Sequence, residues 1–173
     1  MAKKRDKQQK RKNNTTPLYM KNIIDRKIKL PFRLVGGNIN QIILQKLSRQ
    51  LEGRCSNEGF IKPNSISIIT HSSGIVNEDY VIFDVGLECL ICRPVEGMKI
   101  SCVVRNVTKA GIRAEIDNPI SPLIIFIARD HNYQSAYFSS RKEGDNIVIR
   151  VIGQRFELND KHISVIATLI EPK

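Results

Sequence analysis

The sequence has few of the features that mark secreted or membrane proteins. Its 173 residues include no apolar run near the roughly 18 to 20 residues that a membrane-spanning helix needs, and no apolar stretch follows the basic start. Four cysteines, Cys55, Cys89, Cys92 and Cys102, are scattered through segments that read as buried strand, unlike a disulfide framework. We therefore expect an intracellular protein.

Motifs of catalysis are also missing. The sequence contains no phosphate-binding loop, no GxSxG turn, no HExxH helix and no pair of acids on facing strands. Its three histidines, His71, His131 and His162, are far apart along the chain. A binding protein with no cofactor and no catalytic site of its own is therefore the better interpretation, and an enzyme would need a site assembled entirely by the tertiary structure.

Cys89 and Cys92 have the spacing of half a zinc site, since thiolates separated by two residues in a turn can bind one ion. Here they fall within a strand, where a spacing of three places them on opposite faces. The sequence offers no second CxxC or CxxH to complete four ligands. We predict core cysteines, no metal site and no redox pair.

What the sequence does contain is positive charge, and most of the excess is at one end. The chain carries +11, of which residues 1–14 hold +6, residues 15–95 hold +3 and residues 96–173 hold +2. A basic segment without apolar residues cannot bury enough surface to offset its ordering entropy, so residues 1–16 are predicted to be a disordered tail. Such a tail serves nucleic-acid binding or nuclear import, or else only solubility.

The first half mixes strands with one helix. Residues 19–29 are β-rich and end before Pro31, and residues 65–70 and 80–93 alternate with a period of two. Between them, Asn38 stands three residues before Gln41, which is the spacing of a capping box, and Gly53 closes the predicted helix. Its apolar face comprises Ile39, Ile42, Ile43, Leu47 and Leu51.

The second half contains only strand patterns. Five short strands are predicted, separated by turn residues, at residues 98–107, 111–116, 123–128, 145–156 and 162–170. A sheet this small is favoured as a closed barrel, because closure removes its exposed edges. The longest connection, residues 129–142, lies between the third and fourth strands, where OB folds usually insert a helix or long loop.

The fold class that follows is an α+β N-terminal domain followed by an all-β, five-stranded OB-type barrel. Pro94 and Gly97 interrupt the pattern between the halves, and we place the boundary there. The expected organisation is a basic tail at residues 1–16, an N-terminal domain at 17–95 and a barrel at 96–173.

Three groups of short motifs occur along the chain in an order that resembles one family. They are LEGRC (51–55) with EGFI (58–61), FDV (83–85) with RPVEG (93–97), and EGD (143–145) with RVIGQR (150–155) and ISVIATL (163–169). Over about residues 18–170 the chain resembles the stalk subunit of eukaryotic and archaeal RNA polymerases, the seventh subunit of the RNA polymerase II type. It departs from the family pattern in the basic tail, at Val95, and at Ile112 and Ala114, which suggests a divergent member such as one from a large DNA virus with its own transcription machinery.

The resemblance implies a non-catalytic polymerase subunit. Its N-terminal domain would dock on the polymerase core and on a smaller stalk partner, and its barrel, of the ribosomal S-one type, would contact nascent RNA. It implies the nucleus for a cellular protein, and the host cytoplasm or the virion for a viral one. The alternative is a free-standing OB-fold RNA-binding protein of translation or RNA decay, in which the tail supplies the affinity.

Nucleic-acid-binding barrels combine a basic groove with aromatic or arginine planes on which bases stack. Phe126 alternates with Ile125 and Ile127, so core and RNA face are equally compatible with its position, whereas Tyr133 and Phe138 are expected to be exposed in the long connection. Arg113 and Arg150 point away from the apolar faces of their strands. The candidate RNA-binding residues are Lys109, Arg113, Phe126, Arg129, His131, Tyr133, Arg150 and Arg155.

His131 enters this set through the resemblance. A histidine following the third strand lies on the RNA face in the S-one pattern, and His131 follows Asp130 at that place. Without the resemblance, a surface histidine bonded within its own loop is the expected interpretation. The argument for RNA therefore depends on whether Arg113, Arg150 and an aromatic share a barrel face with His131.

Overall fold

Two β-sheets make up the described part of the chain. The computed structural model describes residues 17–117, 121–132 and 135–171. The expected tail therefore lies outside the described residues. None of the helices in those ranges is both long enough and apolar enough to cross a membrane.

The first sheet is organised around one long strand, β6. Strand β1 runs antiparallel to the whole of it on one edge, while β3, β4 and β5 follow one another along its other edge, and β2 pairs with β3. The inward side chains of β6 alternate as predicted, so one of its faces is buried throughout. The strands are β1 (Tyr19–Pro31), β2 (Cys55–Ser56), β3 (Gly59–Ile61), β4 (Ser67–His71), β5 (Ile75–Asn77) and β6 (Tyr80–Cys92).

One helix, α1 (Ile39–Leu51), covers the inner face of this sheet. Ile43 and Leu47 are fully buried there, and the rest of the predicted apolar stripe packs against the same core. The prediction of a capping box is wrong: Asn38 is the N-cap residue, but its side chain accepts no cap hydrogen bond. The first turn of the helix is instead closed by the backbone carbonyl of Asn38, which accepts hydrogen bonds from the N–H groups of Gln41 and Ile42.

The second half closes into the predicted five-stranded barrel. Going round it, the strands follow the order β7, β8, β9, β11, β10 and back to β7, with β9 and β11 parallel and the other pairs antiparallel. This OB topology confirms the predicted fold class, and the long connection carries a short helix, α2 (Ala136–Ser139). The strands are β7 (Lys99–Val107), β8 (Gly111–Glu115), β9 (Leu123–Ala128), β10 (Asn146–Arg155) and β11 (Ile163–Ile170).

The barrel core extends into the first sheet. Cys55, Phe60 and Cys92 are buried in the same cluster as the inward side chains of the barrel. The backbone N–H of Cys55 donates to the carbonyl of Asp160 at 2.7 Å, and the N–H of Asn159 donates back to the Cys55 carbonyl at 2.8 Å. The loop between β10 and β11 is thereby paired with β2.

The four thiols are core residues, as predicted. All are buried, and Cys89 and Cys92 face opposite cores, with Cys89 against α1 and Cys92 against the barrel. Burial raises the pKa of Cys92 and of Cys102 to about 12, and that of Cys55 to about 11. These three thiols are therefore protonated at neutral pH. No group of three or more metal-ligating side chains occurs among the described residues.

Candidate nucleic-acid interface

Phe126 lies on the outside of the barrel. Its neighbours Ile125 and Ile127 are fully buried in the barrel core, whereas Phe126 is 39% exposed, as strand alternation requires once the inner face is fixed. Of the two interpretations open from the sequence, the structure selects the solvent-facing one. The ring is therefore available as a stacking surface.

The strand register surrounds Phe126 with a defined set of side chains. Arg113 on β8 is its cross-strand partner on one side, and Ile166 on β11 is its partner on the other. Ile166 is 49% exposed. An aromatic and an aliphatic side chain thus stand side by side on the outer surface, separated by one strand spacing of about 4.8 Å.

Two further arginines flank Ile166 from strand β10. Arg155 pairs with Ser164 and Arg150 pairs with Thr168, the residues two before and two after Ile166. Between these two arginines Ile152 lies at a β-bulge, on the outer side of the strand, and is 39% exposed. We call this surface the outer platform: Phe126, Ile166 and Ile152, bordered by Arg113, Arg150 and Arg155.

The turn between β7 and β8 lies beside the Phe126 ring. A Cβ on Gly111 would stand 3.0 Å from Cζ of that ring, so the ring occupies the space that the glycine leaves. Lys109 is exposed in the same turn. Arg129 holds the turn in place, because its Nη2 donates to the Thr108 carbonyl at 3.3 Å and its guanidinium lies 5.6 Å from the centre of the Phe138 ring.

Two arginines of the outer platform, Arg113 and Arg155, have acidic partners. Arg113 pairs with Glu115 at 3.0 Å, and Arg155 pairs with Glu157 at 3.3 Å, the latter with both side chains more than 70% exposed. Exposed ion pairs of this kind contribute little to stability and are screened by salt. Both guanidiniums can therefore exchange a carboxylate for a phosphate at little cost.

Three other candidate aromatic or histidine residues have different outcomes. His131 is exposed in the turn that follows β9. Tyr133 lies outside the described residues. The expectation of an exposed Phe138 is wrong: it is 2% exposed, because α2 folds back and inserts the ring into the barrel core.

Sequence reasoning missed the two aliphatic members of the platform. The signal was present for Ile166, since strict alternation along ISVIATLI assigns Ile163, Val165 and Ala167 to the core and leaves Ile166 outside. Grouped with Phe126 and Ile152, an exposed Ile166 forms an apolar patch of the kind that marks a contact surface. The signal was present for Ile152 as well, since alternation along β10 assigns Ile147, Ile149 and Val151 to the core and leaves Ile152 outside.

Comparison with known proteins identifies relatives across most of the chain. It is 29% identical over 169 residues to a protein of Acanthamoeba polyphaga mimivirus named as a DNA-directed RNA polymerase subunit, covering 89% of this chain and 83% of that protein. It is 30% identical over 110 residues to DNA-directed RNA polymerase II subunit 7 of Arabidopsis thaliana, covering 62% of this chain and 60% of the relative. Over most of its length, the chain is therefore similar to proteins named as RNA polymerase subunits, among them RNA polymerase II subunit 7.

A second plant relative extends the match. The RNA polymerase II subunit of Glycine max is 26% identical over 155 residues, covering 80% of this chain and 85% of its own length. No protein-family model matches the chain. The predicted resemblance is confirmed, and it covers both the first sheet and the barrel.

Proposed function

We propose that this protein is a non-catalytic stalk subunit of a DNA-dependent RNA polymerase. Its first sheet docks on the polymerase core and a smaller stalk partner, and its barrel contacts emerging RNA. The outer platform is the observation that carries the RNA part of this proposal. The homology to polymerase subunits supports the rest. The protein works wherever its polymerase transcribes, in the nucleus for a cellular enzyme, or in the host cytoplasm or virion for a viral one.

The chemistry of the outer platform fits single-stranded RNA. Bases stack on an aromatic face whatever their identity, and each stacked base contributes about 1 to 3 kcal/mol. Ile152 and Ile166 offer apolar contact but no groups that read base edges. Binding is therefore tolerant of sequence, and with three bordering arginines it is weak and sensitive to salt. These properties suit a surface past which a transcript must slide.

The docking surface is proposed at the other end of the molecule. Exposed apolar side chains gather where β1 ends and β5 turns into β6, and the Phe32 N–H donates to the Asp79 carbonyl at 2.9 Å to join the two segments. We call this the apolar tip. Exposed apolar groups concentrated at one end mark a protein contact. Its members are Phe32, Leu34, Val35, Ile75, Val76 and Tyr80, between 38% and 65% exposed.

Binding of a short single-stranded RNA, measured by fluorescence anisotropy over a range of salt concentrations, tests the platform. Phe126→Ala should weaken binding about 5- to 150-fold, the equivalent of one stacked base. Arg150→Gln should lower the slope of log affinity against log salt by about 0.7, the value for one phosphate on a single strand. Arg49→Gln, an exposed arginine on α1, is the matched control. Equal affinities for all four proteins would remove the platform from the proposal.

Purification from the native source tests the polymerase assignment. A tagged copy should bring down the large polymerase subunits, and it should still do so after deletion of residues 1–14. If the tagged chain brings none of them and the deletion abolishes RNA binding, the free-standing RNA-binding protein becomes the correct assignment.

A further inference from the structure

Among the described residues, strand β4 lies at an edge of the first sheet that is neither paired nor protected. Unpaired strand edges are templates for pairing with other chains, and proteins normally block them with charged side chains, proline or a covering segment. On the β1 edge this rule is obeyed by a series of charged residues and a terminal proline. Those residues are Lys21, Asp25, Arg26, Lys27, Lys29 and Pro31.

The β2 edge is blocked in a different way. The barrel loop between β10 and β11 lies against it, with the two backbone hydrogen bonds between Cys55 and residues 159 and 160. The β1 edge is thus protected by its own charged residues, and the β2 edge is covered by another segment of the chain.

Strand β4 has neither protection. It pairs with β6 on one side only, and among the described residues no backbone hydrogen bond is made along its other side. Its sequence, SIITH, contains no Lys, Arg, Asp, Glu or Pro. Ile69 lies at a bulge between Ile68 and Thr70 and is 53% exposed. This strand is therefore open to an added strand.

A cleft runs beside this edge. It has a volume of about 520 Å³ and lies between β4 and the first turns of α1. Its lining offers amide, hydroxyl, imidazole and aliphatic groups and no carboxylate, ammonium or guanidinium. The lining residues are Asn40, Gln41, Leu44 and residues 66–71.

We propose that the β4 edge binds an extended, uncharged segment of a partner subunit by strand addition. Backbone hydrogen bonds along β4 supply the affinity, and alternate aliphatic or β-branched side chains of the segment enter the cleft beside Leu44. The same edge of β6 continues through β5 into the apolar tip, so the segment lies next to the proposed polymerase-docking surface. The inference rests in that respect on the proposed function.

A second copy of this chain is the less suitable occupant. Strand β4 has five residues, and pairing two such strands buries far less than the roughly 1,200 Å² of a stable interface. A partner already held at the apolar tip needs no large additional area, because its segment binds as part of a larger contact.

Hydrogen exchange on the wild-type protein, free and in the purified polymerase complex, provides the first test. The β4 amides that do not pair with β6 should exchange at least tenfold more slowly in the complex. Amides on the free edge of β1 should exchange at the same rate in both states. Unchanged exchange at β4 in a complex that does contain the polymerase overturns this inference and leaves the proposed function intact, whereas failure to purify any complex counts against the proposed function itself.

Substitution at the edge provides the second test. Ile69→Lys places on the β4 edge a charge like those that protect β1. It should reduce at least fivefold the amount of one partner subunit that co-purifies with the tagged protein. Ile23→Lys, at a 69% exposed isoleucine on β1, should leave the amount of that co-purified subunit unchanged. A photo-crosslinker at position 69 should join one contiguous peptide of that subunit. Crosslinks to a second copy of this chain, or to RNA, would overturn the assignment.

Discussion

At the scale of single residues, the barrel contains positions where only one side chain is compatible with the backbone. Gly111 begins β8 directly opposite Ala128 on β9. A Cβ at this position would stand 2.3 Å from the Ile127 carbonyl oxygen, far inside van der Waals contact with an atom that cannot move by itself. The glycine therefore permits the close approach of two strands, and the same space receives the Phe126 ring.

Gly111→Ala should lower the free energy of unfolding by about 1 to 3 kcal/mol, the usual cost of forcing extra atoms into a packed site. Urea denaturation followed by circular dichroism measures the difference. Gly153→Ala is the matched control, since a Cβ there meets nothing within 4 Å. A Gly111 variant as stable as the control would show that the two strands can separate without cost.

At the scale of elements, the two helices differ in how their first turns are closed. In α1, the side chain of Asn38 makes no cap hydrogen bond, although its sequence spacing predicts one. In α2, the Ser135 hydroxyl accepts from the Phe138 N–H at 3.1 Å and so fixes the turn that buries the Phe138 ring. Helix α1, whose sequence predicts a cap, is therefore stabilised by its buried apolar face, whereas the short helix α2 is stabilised by its cap hydrogen bond.

Asn38→Ala should change the free energy of unfolding by less than about 0.5 kcal/mol, because no side-chain bond is lost. Ser135→Ala should cost about 1 kcal/mol, the typical value for a cap that is formed. Thermal or urea denaturation of the two variants in parallel measures both. The reverse order of destabilisation would mean that the Asn38 side chain does cap α1 in solution.

At the scale of the whole molecule, the two sheets share buried side chains. Phe60 on β3 is fully buried, and its cross-strand neighbours are Cys55 on β2 and Cys92 on β6. Although it lies in the first sheet, its side chain belongs to the core cluster of the barrel. The outer platform and the apolar tip are thus carried by sheets that share a core. The boundary at residue 95 stays a prediction, and the shared core indicates that the sheets on its two sides stabilise each other.

Phe60→Ala should cost about 3 to 5 kcal/mol, the range for deleting a buried aromatic ring, and it should destabilise both sheets together. Hydrogen exchange of amides in β6 and β9 during denaturation measures this for each sheet separately. Phe32→Ala, at a 59% exposed phenylalanine of the apolar tip, should change stability by less than about 0.5 kcal/mol and weaken only docking. Loss of protection in β6 alone would show that the sheets unfold independently.

The sequence by itself determined the regular elements whose pattern is local. The five barrel strands, α1 and the inward face of β6 follow from alternation and helical periodicity, because each depends on neighbours along the chain. The opposite orientation of Cys89 and Cys92 follows in the same way. Very short strands such as β2 and β5 were not predicted, since two or three residues carry no periodicity.

Only the tertiary structure decided which of these elements meet. That Phe126 faces outward, that Ile166 and Arg113 flank it, and that Phe138 closes the barrel core all depend on strand register and barrel closure. These join distant residues, such as Phe126 with Ile166 and Lys99 with Arg150. The open edge of β4 likewise results from the order of strands around β6. Periodicity assigns a side chain to a face, but neighbours across that face are fixed by hydrogen bonds between distant segments.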